Sequence, residues 1–105
     1  MKLIRAIVRT EKEEAVIANL EAVGLYAITR MPVLGRGRQR GIQMGNIKYT
    51  TLSKVMLLLF VDESDFQKAM DAIEKGAYTG HPGDGKIFAQ NVSESYTVRT
   101  AQRDT

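Results

Sequence analysis

Lys54-Val55-Met56-Leu57-Leu58-Leu59-Phe60-Val61 is nearly all apolar and rich in residues that favour strands. A run of this kind is a strand covered on at least one face, so it belongs near the centre of a sheet. The pattern on either side fixes what surrounds it. Downstream, Ser64-Asp65-Phe66-Gln67 has capping-box spacing, Phe66, Met70 and Ile73 form an apolar stripe, and Gly76 closes the segment, which predicts a helix. Upstream, Leu3 to Val8 alternates and predicts a first strand. Thr10-Glu11-Lys12-Glu13 is another capping box, with Val16, Leu20 and Val23 at helical spacing and Gly24 as terminator. Leu25 to Leu34 is mostly apolar and reads as a second strand, in which Pro32 suits an edge or a bend.

Between that strand and the central one, residues 35–53 are glycine-rich, basic and polar, with no sustained periodicity. A loop of this length in a compact domain is usually functional. After the second helix come a glycine turn, a strand over Ile87 to Val92, a short strand-like Tyr96-Thr97-Val98-Arg99, and a polar tail at 101–105 expected to fray. The order β-α-β-β-α-β with a small extra strand predicts an α+β fold, the ferredoxin-like βαββαβ sandwich, as one domain over 1–105. Both helices would cover one sheet face. The other face would stay apolar and bare, which predicts oligomerisation.

The chain has 105 residues, 44% hydrophobic and 26% charged, ordinary proportions for a globular domain. It has no cysteine, which excludes disulfides, thiolate metal sites and thiol nucleophiles, and its single histidine speaks against a histidine metal site. Met1-Lys2-Leu3-Ile4-Arg5 places charge inside the early apolar stretch, unlike a secretory leader, and no run reaches membrane-spanning length. A cytoplasmic protein without membrane insertion is expected. The net charge of +3 is too small to mark a nucleic-acid binder, although Arg36, Arg38 and Arg40 alternate with Gly35, Gly37 and Gly41.

Thr79-Gly80-His81-Pro82-Gly83-Asp84-Gly85-Lys86-Ile87-Phe88 places glycines, a carboxylate and a lysine at the mouth of a strand. Glycines let backbone N–H groups approach an anion together, and Lys86 adds a positive charge. Gly80 to Lys86 fits seven positions of a P-loop, but Ile87 stands where a metal-binding hydroxyl is needed and no helix start follows. The turn is therefore not that of a P-loop NTPase. Gly83 and Gly85 also fit a plain tight turn, and the arginines at 36, 38 and 40 fit a solvated basic loop. RNA contact is a further alternative for those arginines, but Tyr49 is the only aromatic residue nearby. Lys54 taken alone reads as a solubilising strand-end charge, His81 as a turn residue, and Asp62, Glu63 and Asp65 as complements to a helix dipole. No nucleophile–base pair or carboxylate pair with a partner is present, so no enzyme is expected.

Thr79-x-x-x-Gly83-Asp84-Gly85-Lys86-Ile87-Phe88 resembles the C-terminal signature of the PII nitrogen-regulatory signal proteins. Gly35-Arg36-Gly37-Arg38-Gln39-Arg40-Gly41 resembles the opening of their long T-loop, here about 35–53, and Met1 to Val8 resembles their first strand. The resemblance implies a homotrimer, or a hetero-oligomer with a related subunit, that binds ATP or ADP between subunits. With Mg²⁺ and ATP it would bind 2-oxoglutarate, and its T-loop would dock on a protein target. For the nucleotide, the resemblance implies Thr29, Gly37, Arg38, Gln39, Gly83, Asp84, Gly85, Lys86 and Arg99. For 2-oxoglutarate it implies Arg9, Gln39, Arg40, Gly41 and Lys54, with Gln39 also holding Mg²⁺.

Three departures from the family pattern stand out. Thr97 and Leu58 occupy positions where many members have an arginine and a glutamate. The stretch between Gly41 and Lys54 is short, and Tyr49 lacks the usual surroundings of a modifiable tyrosine, so the resemblance does not extend to uridylylation. The short loop and Tyr78-Thr79-Gly80-His81-Pro82 are most similar to the first-subunit type of the nitrogenase-associated branch of archaea and anaerobic bacteria. That resemblance implies dinitrogenase as the partner, with an ammonium channel or glutamine synthetase as the alternative target of a conventional member.

Overall fold

The computed structural model describes residues 1–36, 42–44, 47–49 and 52–105. The strands are β1 (Lys2–Arg9), β2 (Thr29–Gly35), β3 (Ile42–Met44), β4 (Ile47–Tyr49), β5 (Leu52–Val61), β6 (Gly85–Asn91), β7 (Tyr96–Thr97) and β8 (Gln102–Arg103). The helices are α1 (Glu13–Ala22), preceded by a 3₁₀ turn at Thr10–Lys12, and α2 (Glu63–Ala77). A four-stranded sheet runs β2-β5-β1-β6, and every neighbouring pair in it is antiparallel. This is the expected ferredoxin-like order, with the apolar 54–61 run inside a central strand.

Strand alternation sorts the sheet into two faces. Ile4, Ala6 and Val8 of β1 and Val55, Leu57, Leu59 and Val61 of β5 are buried together with Val16 and Leu20 of α1 and Ala69 and Ile73 of α2. Both helices therefore lie on this face. The opposite face carries Leu3, Arg5 and Ile7, opposed in register by Phe60, Leu58 and Met56, and none of these is fully buried. Phe66 and Met70 pack only partly against the core, and the small residues Ala69, Ala72 and Gly76 take the inner positions of α2.

Gly76 does not end α2. It lies inside the helix, and a Cβ there would come within 2.8 Å of the Val16 Cα, so the helices touch at their backbones. Gly24 does end α1. With φ +85° it receives the chain after Val23, while the Leu25 N–H donates to the Leu20 carbonyl and the Gly24 N–H to the Glu21 carbonyl, a Schellman closure.

Neither capping box forms. Thr10 enters a 3₁₀ turn and Lys12 takes the N-cap position of α1 without a side-chain bond, which frees Glu13 to pair with both Arg30 nitrogens facing it. At α2 the chain passes from Val61 through Asp62 alone, so Ser64 already lies in the first turn. The second strand begins at Thr29 rather than Leu25, because Leu25 and Ile28 pack sideways onto the core instead of pairing. The stretch expected to lack regular structure contains the β3–β4 hairpin, paired Ile42 to Tyr49. The short extra strand is also a hairpin. Residues 102–103 pair with β7, the Thr97 hydroxyl donates to Asp104, and the Asp104 N–H donates to the Ser95 carbonyl. The tail is thus folded back rather than frayed.

Candidate ligand site at the glycine turn

Beyond α2 the chain must reverse to enter β6 beside β1. Asp84 organises the reversal. Its Oδ2 accepts the Thr79 N–H at 2.8 Å and the Gly80 N–H at 2.9 Å. Its Oδ1 accepts the Thr79 hydroxyl and, at 3.1 Å, the Arg9 Nε–H. The Thr79 hydroxyl also accepts the His81 N–H at 3.1 Å. The Thr79 hydroxyl and N–H, followed by Gly80 and Arg9, hold the Asp84 carboxyl well below the usual carboxylate range. Gly85 follows with φ +113°, and a Cβ there would lie 1.8 Å from the Ile7 carbonyl oxygen. Only glycine fits both that backbone angle and that approach to β1.

Arg9 and Lys54 are cross-strand partners at the end of β1 and the start of β5. They reach the turn together. Arg9 Nη2 donates to the Pro82 carbonyl at 2.8 Å, and Lys54 Nζ donates to the Gly83 carbonyl. Lys54 is only 9% exposed, so its stem is walled in and its amine ends inside the cluster. Loss of water, and then repulsion from Arg9, lower its pKa, while Glu11 and Asp84 oppose the shift. The two cations are held by carbonyls and flanked by two carboxylates, Asp84 on the Arg9 Nε and Glu11 3.9 Å from its Nη1, and together they line a recess with cationic donors suited to an anion. A cleft of about 420 Å³ lies behind the turn, lined by Ile73, Ala77, Tyr78, Gly85 and Ile87 among others.

The fold therefore brings together Arg9, Lys54, Gly83, Asp84 and Gly85 from three separate stretches of chain. Lys86 opposes Ile7 and lies on the bare face, its ammonium 5.8 Å from the Phe88 ring centroid. Thr29 is exposed on β2 and opposes Leu58. Three strand spacings, about 14 Å, separate β2 from β6, so one chain does not join Thr29 to Lys86 directly. Arg99 lies in the turn between β7 and β8, exposed, without a hydrogen bond to the glycine turn among the described residues. Gly37, Arg38, Gln39, Arg40 and Gly41 lie outside the described residues, and with them the magnesium ligand expected at Gln39. The root of their loop is described. Gly35 pairs with Leu52, and a Cβ at Gly35 would lie 3.6 Å from Lys54 Cγ, which places Lys54 against the root of the loop.

Reading the residues alone did not assign Thr79 a role. Its signal was the spacing to Asp84, since a hydroxyl and a carboxylate in one glycine-rich turn can satisfy that turn's amides locally.

The chain matches the family described as nitrogen regulatory protein P-II over residues 1–102. It is 49% identical over 100 residues to nitrogen fixation nifHD region glnB-like protein 1 of Methanococcus maripaludis, which covers 95% of each chain. It is 48% identical over 103 residues to nitrogen fixation nifHD region GlnB-like protein 1 of Methanobacterium ivanovii, covering 98% of each. To nitrogen regulatory protein P-II 1 of Methanothermobacter thermautotrophicus it is 40% identical over 106 residues, or 97% of this chain and 92% of that one. The fold, the glycine turn and these matches agree, and the chain belongs to the nitrogen regulatory protein P-II family, whose members are regulators rather than enzymes.

Proposed function

We propose that this protein senses ATP or ADP together with 2-oxoglutarate and controls a nitrogen-fixation enzyme, dinitrogenase, by docking through residues 35–53. The observation that carries this reading is the convergence of Arg9 and Lys54 on the glycine turn, with Lys54 against Gly35 at the root of that loop. The donor set fits its ligands. Lys86 and the glycine turn suit phosphates, and Arg9 and Lys54 suit a dicarboxylate. Bound Mg²⁺ would neutralise phosphate charge and offer a chelation point to a 2-oxo acid, with Gln39 as the protein ligand. The choice of target draws on the relatives from nifHD regions. A homotrimer, or an assembly with a related subunit, would cover the bare face and bring the Thr29 of one subunit towards the phosphates held by another.

Linkage governs the output. An effector shifts docking only by its differential affinity for free and docked loop conformations, and the target must shift effector affinity by the same factor. Isothermal titration calorimetry with Mg²⁺ and ATP tests the sensor. Heat from 2-oxoglutarate is expected only with ATP present, and is lost in Gln39→Ala. Absence of that heat in the wild type, or a Gln39→Ala protein like the wild type, refutes the mechanism. Capture of dinitrogenase that is released by 2-oxoglutarate tests the target. The 40% identity to a P-II 1 protein supports a second target reading, an ammonium channel or glutamine synthetase, which the same capture distinguishes.

A further inference from the structure

The family resemblance groups Asp84 with the residues that touch nucleotide, but the local geometry leaves it no free acceptor. A carboxylate offers about four lone-pair positions. In this turn the four are taken by the Arg9 Nε–H, the Thr79 hydroxyl, the Thr79 N–H and the Gly80 N–H. We propose that Asp84 is a positioning residue for the anion-binding turn, the internal anion around which residues 79–85 wind, and not a ligand to ribose, phosphate or metal. The inference rests on the reading of this turn as a nucleotide site.

The consequence is a division of the turn into two limbs. The N-terminal limb, Thr79 and Gly80, is committed to Asp84 and is not offered to an external phosphate. The C-terminal limb, Gly83 to Lys86, is set by that clamp and receives the ligand. Arg9 balances the Asp84 charge, so the internal carboxylate does not repel an incoming phosphate. The Thr79 hydroxyl is the hinge of the clamp, because it donates to Asp84 while accepting from the His81 N–H. A serine keeps both bonds and a valine keeps neither.

The test is a double-mutant cycle read by calorimetry with Mg²⁺ and ATP. Asp84→Asn and Thr79→Val are each expected to weaken ATP binding about tenfold or more, the scale of a lost charged hydrogen bond. The double variant should bind no more weakly than the worse single, and Thr79→Ser should bind like the wild type. Additive losses, or loss in Asp84→Asn with normal binding in Thr79→Val, would mean direct contact and overturn the proposal. A clamp serving stability alone would lower the unfolding midpoint and leave the ATP Kd of folded protein unchanged, which also overturns it. Amide exchange without nucleotide supplies a separate readout, with protection at Gly80 expected to fall in both single variants and unchanged protection counting against the clamp. If Asp84→Asn does not fold, the Thr79 pair decides the matter. If wild-type protein binds no ATP, the nucleotide reading and the positioning role fall together, and exchange still judges the clamp.

Discussion

Replacing Gly85 by alanine perturbs the structure at the point where β6 enters the sheet, and two costs can be worked from the geometry. The first is conformational. Gly85 sits at φ +113°, and holding an L side chain there costs about 1–3 kcal/mol. The second is steric. The new Cβ would lie 1.8 Å from the Ile7 carbonyl oxygen and 2.9 Å from its carbon, both backbone atoms in the adjoining strand. Restoring an ordinary contact of about 3.5 Å moves β6 from β1 by more than ~1.5 Å, which breaks the hydrogen bonding at that end of the ladder. Each lost ladder bond is worth about 1 kcal/mol, so the total is about 3–5 kcal/mol. Gly24→Ala isolates the first cost, since Gly24 has φ +85° and a Cβ there would meet nothing within 4 Å. Urea unfolding followed by circular dichroism, at one protein concentration, compares the two. Gly85→Ala should be the less stable by about 2 kcal/mol or more, a midpoint difference of roughly 1 M. Equal midpoints would refute the claim that close approach to β1, beyond the positive φ, demands glycine here.

Leu57 is fully buried and Leu34 is 75% exposed, so in the same assay Leu57→Ala should cost about 2–5 kcal/mol and Leu34→Ala less than about 0.5 kcal/mol. Asp84 has a folded pKa below its unfolded one, so its stabilisation is complete above the ordinary carboxylate range and declines as pH falls below it towards the folded value. Unfolding midpoints of wild type and Asp84→Asn, taken from pH 6 down to pH 2, should therefore converge in acid, and a gap that stays constant would contradict the assignment. Lys54→Met removes a nearly buried cation while keeping its length, so under the proposed function calorimetry should find 2-oxoglutarate heat abolished and circular dichroism should find the fold retained.

The sheet was legible because its central strands are long. Ten residues of β5 carry enough apolar content to declare a strand wherever they occur. The hairpin of β3 and β4 was not legible, because three residues on each side are too few to display a period. Gly76 was misread for a physical reason. A glycine in a helix interior costs helix propensity, so near the end of a stripe it looks like a stop signal, yet here it lets α2 approach Val16. The first capping box failed because tertiary pairing won, with Glu13 drawn to Arg30 across to β2, and the second because Asp62 takes the N-cap position while Gln67 donates to Asp71 one turn further on. At the candidate site the turn itself was visible as a motif. Its dependence on Arg9 and Lys54 was not, since these lie 73 and 29 residues from their carbonyl partners and are joined only by the β1–β5 register.

That register has an electrostatic consequence. Like charges directly opposite on neighbouring strands repel, and Arg9 and Lys54 stand directly opposite with Lys54 nearly buried. Loss of water, and after it this repulsion, lower the Lys54 pKa, while Glu11 and Asp84 pull the other way. An anion that enters between these cations relieves the repulsion, and the relief adds to its affinity. Because Lys54 also holds the Gly83 carbonyl, an anion at Lys54 and a phosphate on the Gly83–Lys86 limb act on the same peptide. Under the proposed function, 2-oxoglutarate and nucleotide would then be coupled through the glycine turn as well as through a shared metal ion. Coupling of that origin must persist, at reduced strength, when 2-oxoglutarate is replaced by a dicarboxylate that lacks the keto oxygen. Coupling through the metal alone would vanish with it.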